Sequence, residues 1–140
     1  MAVRAQIAAG CAITGSVDDT WAAVTTGWKV VNPQVPIHEG IALEGEWPSS
    51  EEWAVFVVER GERTAQIDPQ SFARSQMNFQ KALGAIQQGA LDNAMTENGR
   101  GVALSTADQA GRKICNDLLV WGARCAGISG SGPAIVFMIP

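Results

Sequence analysis

Apolar residues along this chain alternate between two spacings. Behind Asp68-Pro69, a strong helix opening, Phe72, Phe79, Leu83 and Ile86 recur at helical intervals up to Gly89, which predicts a helix over about 69–88. Ala110, Ile114, Leu118 and Trp121 form a second helical stripe, entered through the capping-box-like "STAD" at 105–108 and ended at Gly122. A shorter helix is expected over "LDNAMTENG", 91–99. Asp18 and Asp19 stand where another helix should begin, after a turn at Gly15 and Ser16, and residues 3–9 read as a short helical end stopped by Gly10. Strand spacing governs "WKVV" at 28–31, "EWAVFVVER" at 52–60, "RCAGI" and the closing "AIVFMI". Between the first two lie residues 32–50, rich in proline and glycine, expected as a loop or irregular hairpin. The order of elements predicts an α+β fold with helices on one face of a mostly antiparallel sheet, for which a ferredoxin-like arrangement is the natural candidate.

Composition narrows the functional classes. A chain of 140 residues suits one compact domain, 1–140, and its 15 glycines with 17% charged residues fit a glycine-looped α+β fold. Ten Lys and Arg are scattered over a chain of net charge −4, so the basic footprint of a nucleic-acid binder is missing. Cys11, Cys115 and Cys125 form no CxxC pair and His38 is the single histidine, which argues against a structural metal or a disulfide framework and for the reducing cytoplasm. Arg4 and Gln6 interrupt the apolar start, so neither a signal peptide nor an anchor is expected. No apolar run approaches the roughly 18 residues of a membrane span.

Two stretches carry candidate chemistry. In "SGSGPA", 129–134, Gly130 and Gly132 let backbone amides converge on an anion while Ser129 and Ser131 add hydroxyls; the same stretch also suits a tight strand-to-strand turn. It is not a Walker loop, because no Gly-Lys-Ser/Thr follows. In "TGSVDD", 14–19, an aspartate beside an acceptor hydroxyl would take or orient its proton in phosphoryl transfer, or Asp18 and Asp19 simply cap a helix. Arg60 and Arg63 in "ERGERT" follow a strand and are candidates to meet an anionic substrate, although solvated loop arginines are the commoner case. His38 reads as a surface residue, and the cysteines read as core. The five tryptophans are too dispersed for a stacking platform, and Trp47 and Trp53 flank the acidic "SSEE".

Taken in order, "ITG" with a double acid ("DDT"), Ala94-Met95 followed by Asn98-Gly99, and the closing "GISGSGPAIVFMI" resemble the C-terminal portion of a GHMP-superfamily kinase, most closely the archaeal-type shikimate kinases. The last motif is shared with homoserine kinases and other relatives, while the first points to shikimate. The resemblance implies ATP and Mg²⁺ as cofactors and phosphorylation of a small-metabolite hydroxyl. It sets Asp18 or Asp19, with Asp18 preferred, at the acidic position near the acceptor. Thr14 and Gly15, together with Ser129, Gly130, Ser131 and Gly132, would then border substrate and nucleotide. Such kinases carry a PxxxGLGSS phosphate loop on an N-terminal domain, which these residues lack, and they continue past Ile139-Pro140. The expectation is therefore a piece of a longer kinase, weakly active or inactive alone, whose partners are a small-molecule substrate and either a missing N-terminal domain or a second copy. Homoserine kinase, or another member of the superfamily, is the alternative within this class. A non-catalytic small-molecule-binding module is the alternative from another class.

Overall fold

A computed structural model describes residues 5, 8–9, 18–32, 34–47, 53–63 and 66–140. The chain divides into two compact units, Met1–Glu51 and Glu52–Pro140, each taken by itself. The expected helical end over 3–9 lies largely outside the described residues, as do Gly10, Cys11 and the "TGSV" of 14–17.

In the first unit, helix α1 (Asp18–Val24) begins at the acidic pair as expected. Strands β1 (Trp28–Val31) and β2 (Ile41–Gly45) pair antiparallel with a bulge between Val30 and Val31, so the proline-rich stretch is an irregular hairpin. Lys29 lies directly across from Glu44, and their charged ends meet at 3.7 Å. The connection is tightened by the Asn32 side chain, which accepts from Gln34 N, and by a 3₁₀ turn over Ile37–Glu39. His38 is exposed on that turn, as expected.

The second unit is α+β. Strands β3 (Ala54–Val58), β4 (Cys125–Ile128) and β5 (Ile135–Ile139) form an antiparallel sheet in the order β3-β5-β4. The register aligns Val58, Ile135 and Ile128, and likewise Phe56, Phe137 and Ala126, so these residues share a face. That face packs on Val102, Ala103 and Cys115 from the helices, with Phe72, Phe79, Ile114, Leu118 and Leu119 closing around them. On the other face Val55 and Val57 of β3 remain 59% and 62% exposed, whereas Met138 and Cys125 are buried there, with Cys125 Sγ 3.9 Å from Met95 Sδ; the α+β class with an antiparallel sheet is as the element order predicted.

Three helices build that layer: α2 (Gln76–Gln87), α3 (Leu91–Ser105) and α4 (Gln109–Val120). The opening at Asp68-Pro69 is present, but residues Pro69–Ser75 form a 3₁₀ helix before α2 begins. Asp68 accepts from Gln70 N through its carboxylate and from the Ser71 hydroxyl through its carbonyl, which tightens the first turns. Helix α3 does not stop at Gly99. It runs on to Ser105, and Gly99 within it lies against Gly127 of β4, where its missing Cβ lets the two backbones touch.

Two details of the last helix differ from the sequence pattern. Ser105 caps nothing; it ends α3, donating to Gly101 O, and its hydroxyl meets that of fully buried Ser75 at 2.8 Å. The cap of α4 is Asp108, whose carboxylate accepts from Gly111 N at 2.8 Å. Of the expected stripe Ile114 and Leu118 pack against the core beside buried Cys115, while Ala110 is exposed and Trp121 is 80% exposed beyond the helix end.

Candidate functional site

In the second unit a cavity of about 390 Å³ opens where β3 ends, α4 begins and the glycine loop passes from β4 to β5; Arg60, Glu62, Arg63, Asp108, Ser131 and Gly132 are among its walls. Its size falls in the ordinary range for small-molecule sites. Each wall has a local cause. Arg60 and Arg63 leave the sheet just after β3, Asp108 is fixed as the α4 cap, and the loop is held by its own turn.

That turn answers one sequence question. Ser129 N donates to Ala134 O and Gly132 N donates to Ser129 O, each at 2.9 Å, so two amides that might have converged on an anion are spent within the hairpin. Gly130 and Gly132 have φ of +54° and +80°, the region that favours glycine. Into the cavity the loop turns acceptors. Arg63 donates to the Ser131 hydroxyl at 2.6 Å and to Gly132 O at 2.7 Å, and Arg60 donates to Pro133 O at 3.1 Å. Ser131 and Gly132 thus line the cavity, whereas Ser129 and Gly130 are exposed and are not among its walls.

The two arginines differ in charge balance. Arg60 grips the Asp108 carboxylate with both terminal nitrogens, one of them at 2.9 Å, and both side chains are more than four-fifths buried, at 18% and 19% exposure. The bond from Arg60, opposed by burial and helped by Gly111 N–H, holds the Asp108 carboxyl below the usual carboxylate range. Arg63 bonds only neutral oxygens and takes part in no ion pair among the described residues, so its charge is available to an incoming anion. Burial pushes the Cys115 thiol up, which makes it a core residue rather than a nucleophile.

Asp18 belongs to the first unit and there lines a cavity of about 240 Å³ with Thr25, Trp28 and Lys29. Asp19 lies in α1, but its side chain is outside the described set, as are Thr14 and Gly15. The structure therefore brings together the arginines and the glycine loop. Asp108 was not singled out for a site role; its only sequence signal was membership of "STAD".

ATP and Mg²⁺, implied by the resemblance, do not fit these residues alone. No group of three His, Cys, Asp or Glu stands together to hold a metal among the described residues, and of the loop amides those of Ser129 and Gly132 are spent in the turn, which leaves those of Gly130 and Ser131. No helix among the described residues is long and apolar enough to cross a membrane.

Comparison with known proteins bears on the motif reading. The chain is 29% identical over 136 residues to a shikimate kinase of Methanothermobacter thermautotrophicus, a match covering 97% of this chain and 45% of that protein. The kinase resemblance read from the motifs thus extends along nearly the whole chain. The chain spans about half the length of the curated relative it matches. A Listeria monocytogenes structure assigned as a homoserine kinase aligns with 85% of this chain and 42% of its own, at 16% identity and a TM-score of 0.48. No family model matches the sequence.

Proposed function

We propose that this chain forms part of a cytoplasmic GHMP-type small-molecule kinase that transfers a phosphoryl group from ATP to a hydroxyl of shikimate, giving 3-phosphoshikimate. The observation that carries the reading is the 29% identity to a shikimate kinase sustained over 136 residues. The cavity supports the substrate class. Shikimate is a small carboxylate, and Arg63 offers an unneutralised guanidinium at the rim of a cavity of suitable size. Asp18 and Asp19 are assigned, by motif, to the acidic position near the acceptor hydroxyl. Holding the hydroxyl in line and drawing off its proton is most of what a protein must supply to phosphoryl transfer besides charge neutralisation. ATP supplies the transferred group and Mg²⁺ the neutralising charge; neither is assigned a ligand among the described residues.

A second reading has one observation in its favour. The loss of the Ser129 and Gly132 amides to the turn suits a module that binds a small carboxylate without chemistry. The deciding experiment follows ADP release and shikimate binding by the native polypeptide purified from its source, with homoserine in parallel. Shikimate-dependent ADP release supports the kinase. Binding without turnover supports the module, and turnover of homoserine alone overturns the substrate assignment.

A further inference from the structure

We infer that Arg60 and Asp108 are positioning residues, an ion pair that sets the height and orientation of the glycine loop so that Ser131 and Gly132 present the Arg63 guanidinium to an anionic ligand. Three elements distant in sequence meet at this pair. Arg60 lies just past the end of β3, Asp108 is the cap of α4, and Pro133 is the exit of the loop; the separations are 48 and 73 residues. The guanidinium is planar and its donors are fixed relative to one another, so two nitrogens on the carboxylate determine where the bond to Pro133 O can point. Asp108 is fixed in turn, because one oxygen accepts from Arg60 and from Gly111 N at once. A Cβ on Gly111 would run into both the Asp108 carboxylate and the Arg60 guanidinium, so the helix is shaped around the pair.

The charges of the pair already cancel; what it leaves for binding is Arg63, three residues on, held by the loop that Arg60 anchors. The two neighbouring arginines divide the work, one holding the loop and one facing the cavity. The ligand half of this inference rests on the proposed kinase reading. The loop half does not.

The test compares Asp108→Asn, Arg60→Lys and the wild type with Leu118→Ala, a core control on α4 that lowers stability without touching the loop. Asparagine can still cap Gly111 but cannot pair with Arg60, and lysine keeps the charge while losing the fork. Two quantities are read: amide hydrogen exchange at Ser129 and Gly132, whose N–H groups close the turn, and the Kd for shikimate by calorimetry. In Asp108→Asn both amides exchange about tenfold faster or more than in the control, and shikimate binding weakens by a similar factor, with Arg60→Lys intermediate. Exchange at Ser129 and Gly132 no faster than in the control overturns the inference. Should the wild type bind no shikimate, the substrate assignment falls and the exchange result alone decides the role of the pair.

Discussion

Replacing Gly99 by alanine should destabilise the protein, although the same change at Gly84 should stabilise it. Both glycines lie inside helices, and alanine there is worth about 0.5–1 kcal/mol from propensity alone. Around Gly84 an added Cβ meets nothing within 4 Å, so that gain stands. At Gly99 the Cβ would collide with the Gly127 Cα and stand 3.0 Å from Ile128 N and 3.1 Å from Gly127 C. These are backbone atoms of β4, which pairs along its length with β5, so no side chain can swing aside. Overpacking of this kind costs about 1–3 kcal/mol, and a backbone neighbour puts it at the upper end, leaving a net loss of about 2 kcal/mol. The two variants should therefore differ by nearly 3 kcal/mol, or by about 10 °C in melting temperature. Urea and thermal melts of the two variants and wild type measure this directly. A Gly99→Ala protein as stable as wild type would refute the claim that α3 and β4 need the close approach, and with it the structural account of the Asn98-Gly99 motif.

Three further outcomes follow from particular groups. Arg63→Met should leave the melting temperature nearly unchanged, because its bonds are exposed, while weakening shikimate binding about tenfold or more by calorimetry; equal binding would remove Arg63 from the site. The Asp108 carboxyl titrates lower folded than unfolded, so its stabilisation is complete above its unfolded pKa of about 4 and is lost as pH falls through the lower folded value. Urea melts at pH 6 and pH 3 should accordingly show the gap between wild type and Asp108→Asn narrowing with acid. Glu97, lowered by bonds from Arg100 and Asn78 that outweigh its burial, responds in the same window in both proteins and cancels from that difference. Trp121→Ser should change stability by no more than about 0.5 kcal/mol in a thermal melt, because the ring is 80% exposed.

Most elements were legible because one physical signal dominated each. Asp68-Pro69 opens a helical segment, Gly89 and Gly122 follow the ends of α2 and α4, and the Val-rich β3 and β5 pair antiparallel. The misreadings share a cause. The helix expected over 91–99 runs on to Ser105, and Ser105 looked like a cap, because local propensity was read without tertiary partners, the β4 backbone against Gly99 in one case and the Ser75 hydroxyl in the other. Trp121 was assigned to a buried stripe by spacing alone, but α4 ends at Val120 and meets the core through Ile114, Cys115, Leu118 and Leu119, which leaves Trp121 past the last packed turn.

The candidate site was half legible for a related reason. A glycine-hydroxyl loop has two uses, presenting amides or turning a strand, and composition cannot choose between them. The choice is made by hydrogen bonds formed only when β4 and β5 pair, which consume the amides of Ser129 and Gly132 and turn carbonyls toward the arginines. Once that happens, the Gly130 and Ser131 amides remain as neutral donors, and the full positive charge on the cavity wall that no carboxylate pairs is the Arg63 guanidinium. A single uncompensated guanidinium matches the planar oxygens of a carboxylate, whereas a polyphosphate calls for several convergent donors. The described cavity is therefore better suited to the carboxylate end of a small metabolite than to a nucleotide, and the residue that makes it so, Arg63, is one whose role became visible only through the loop it binds.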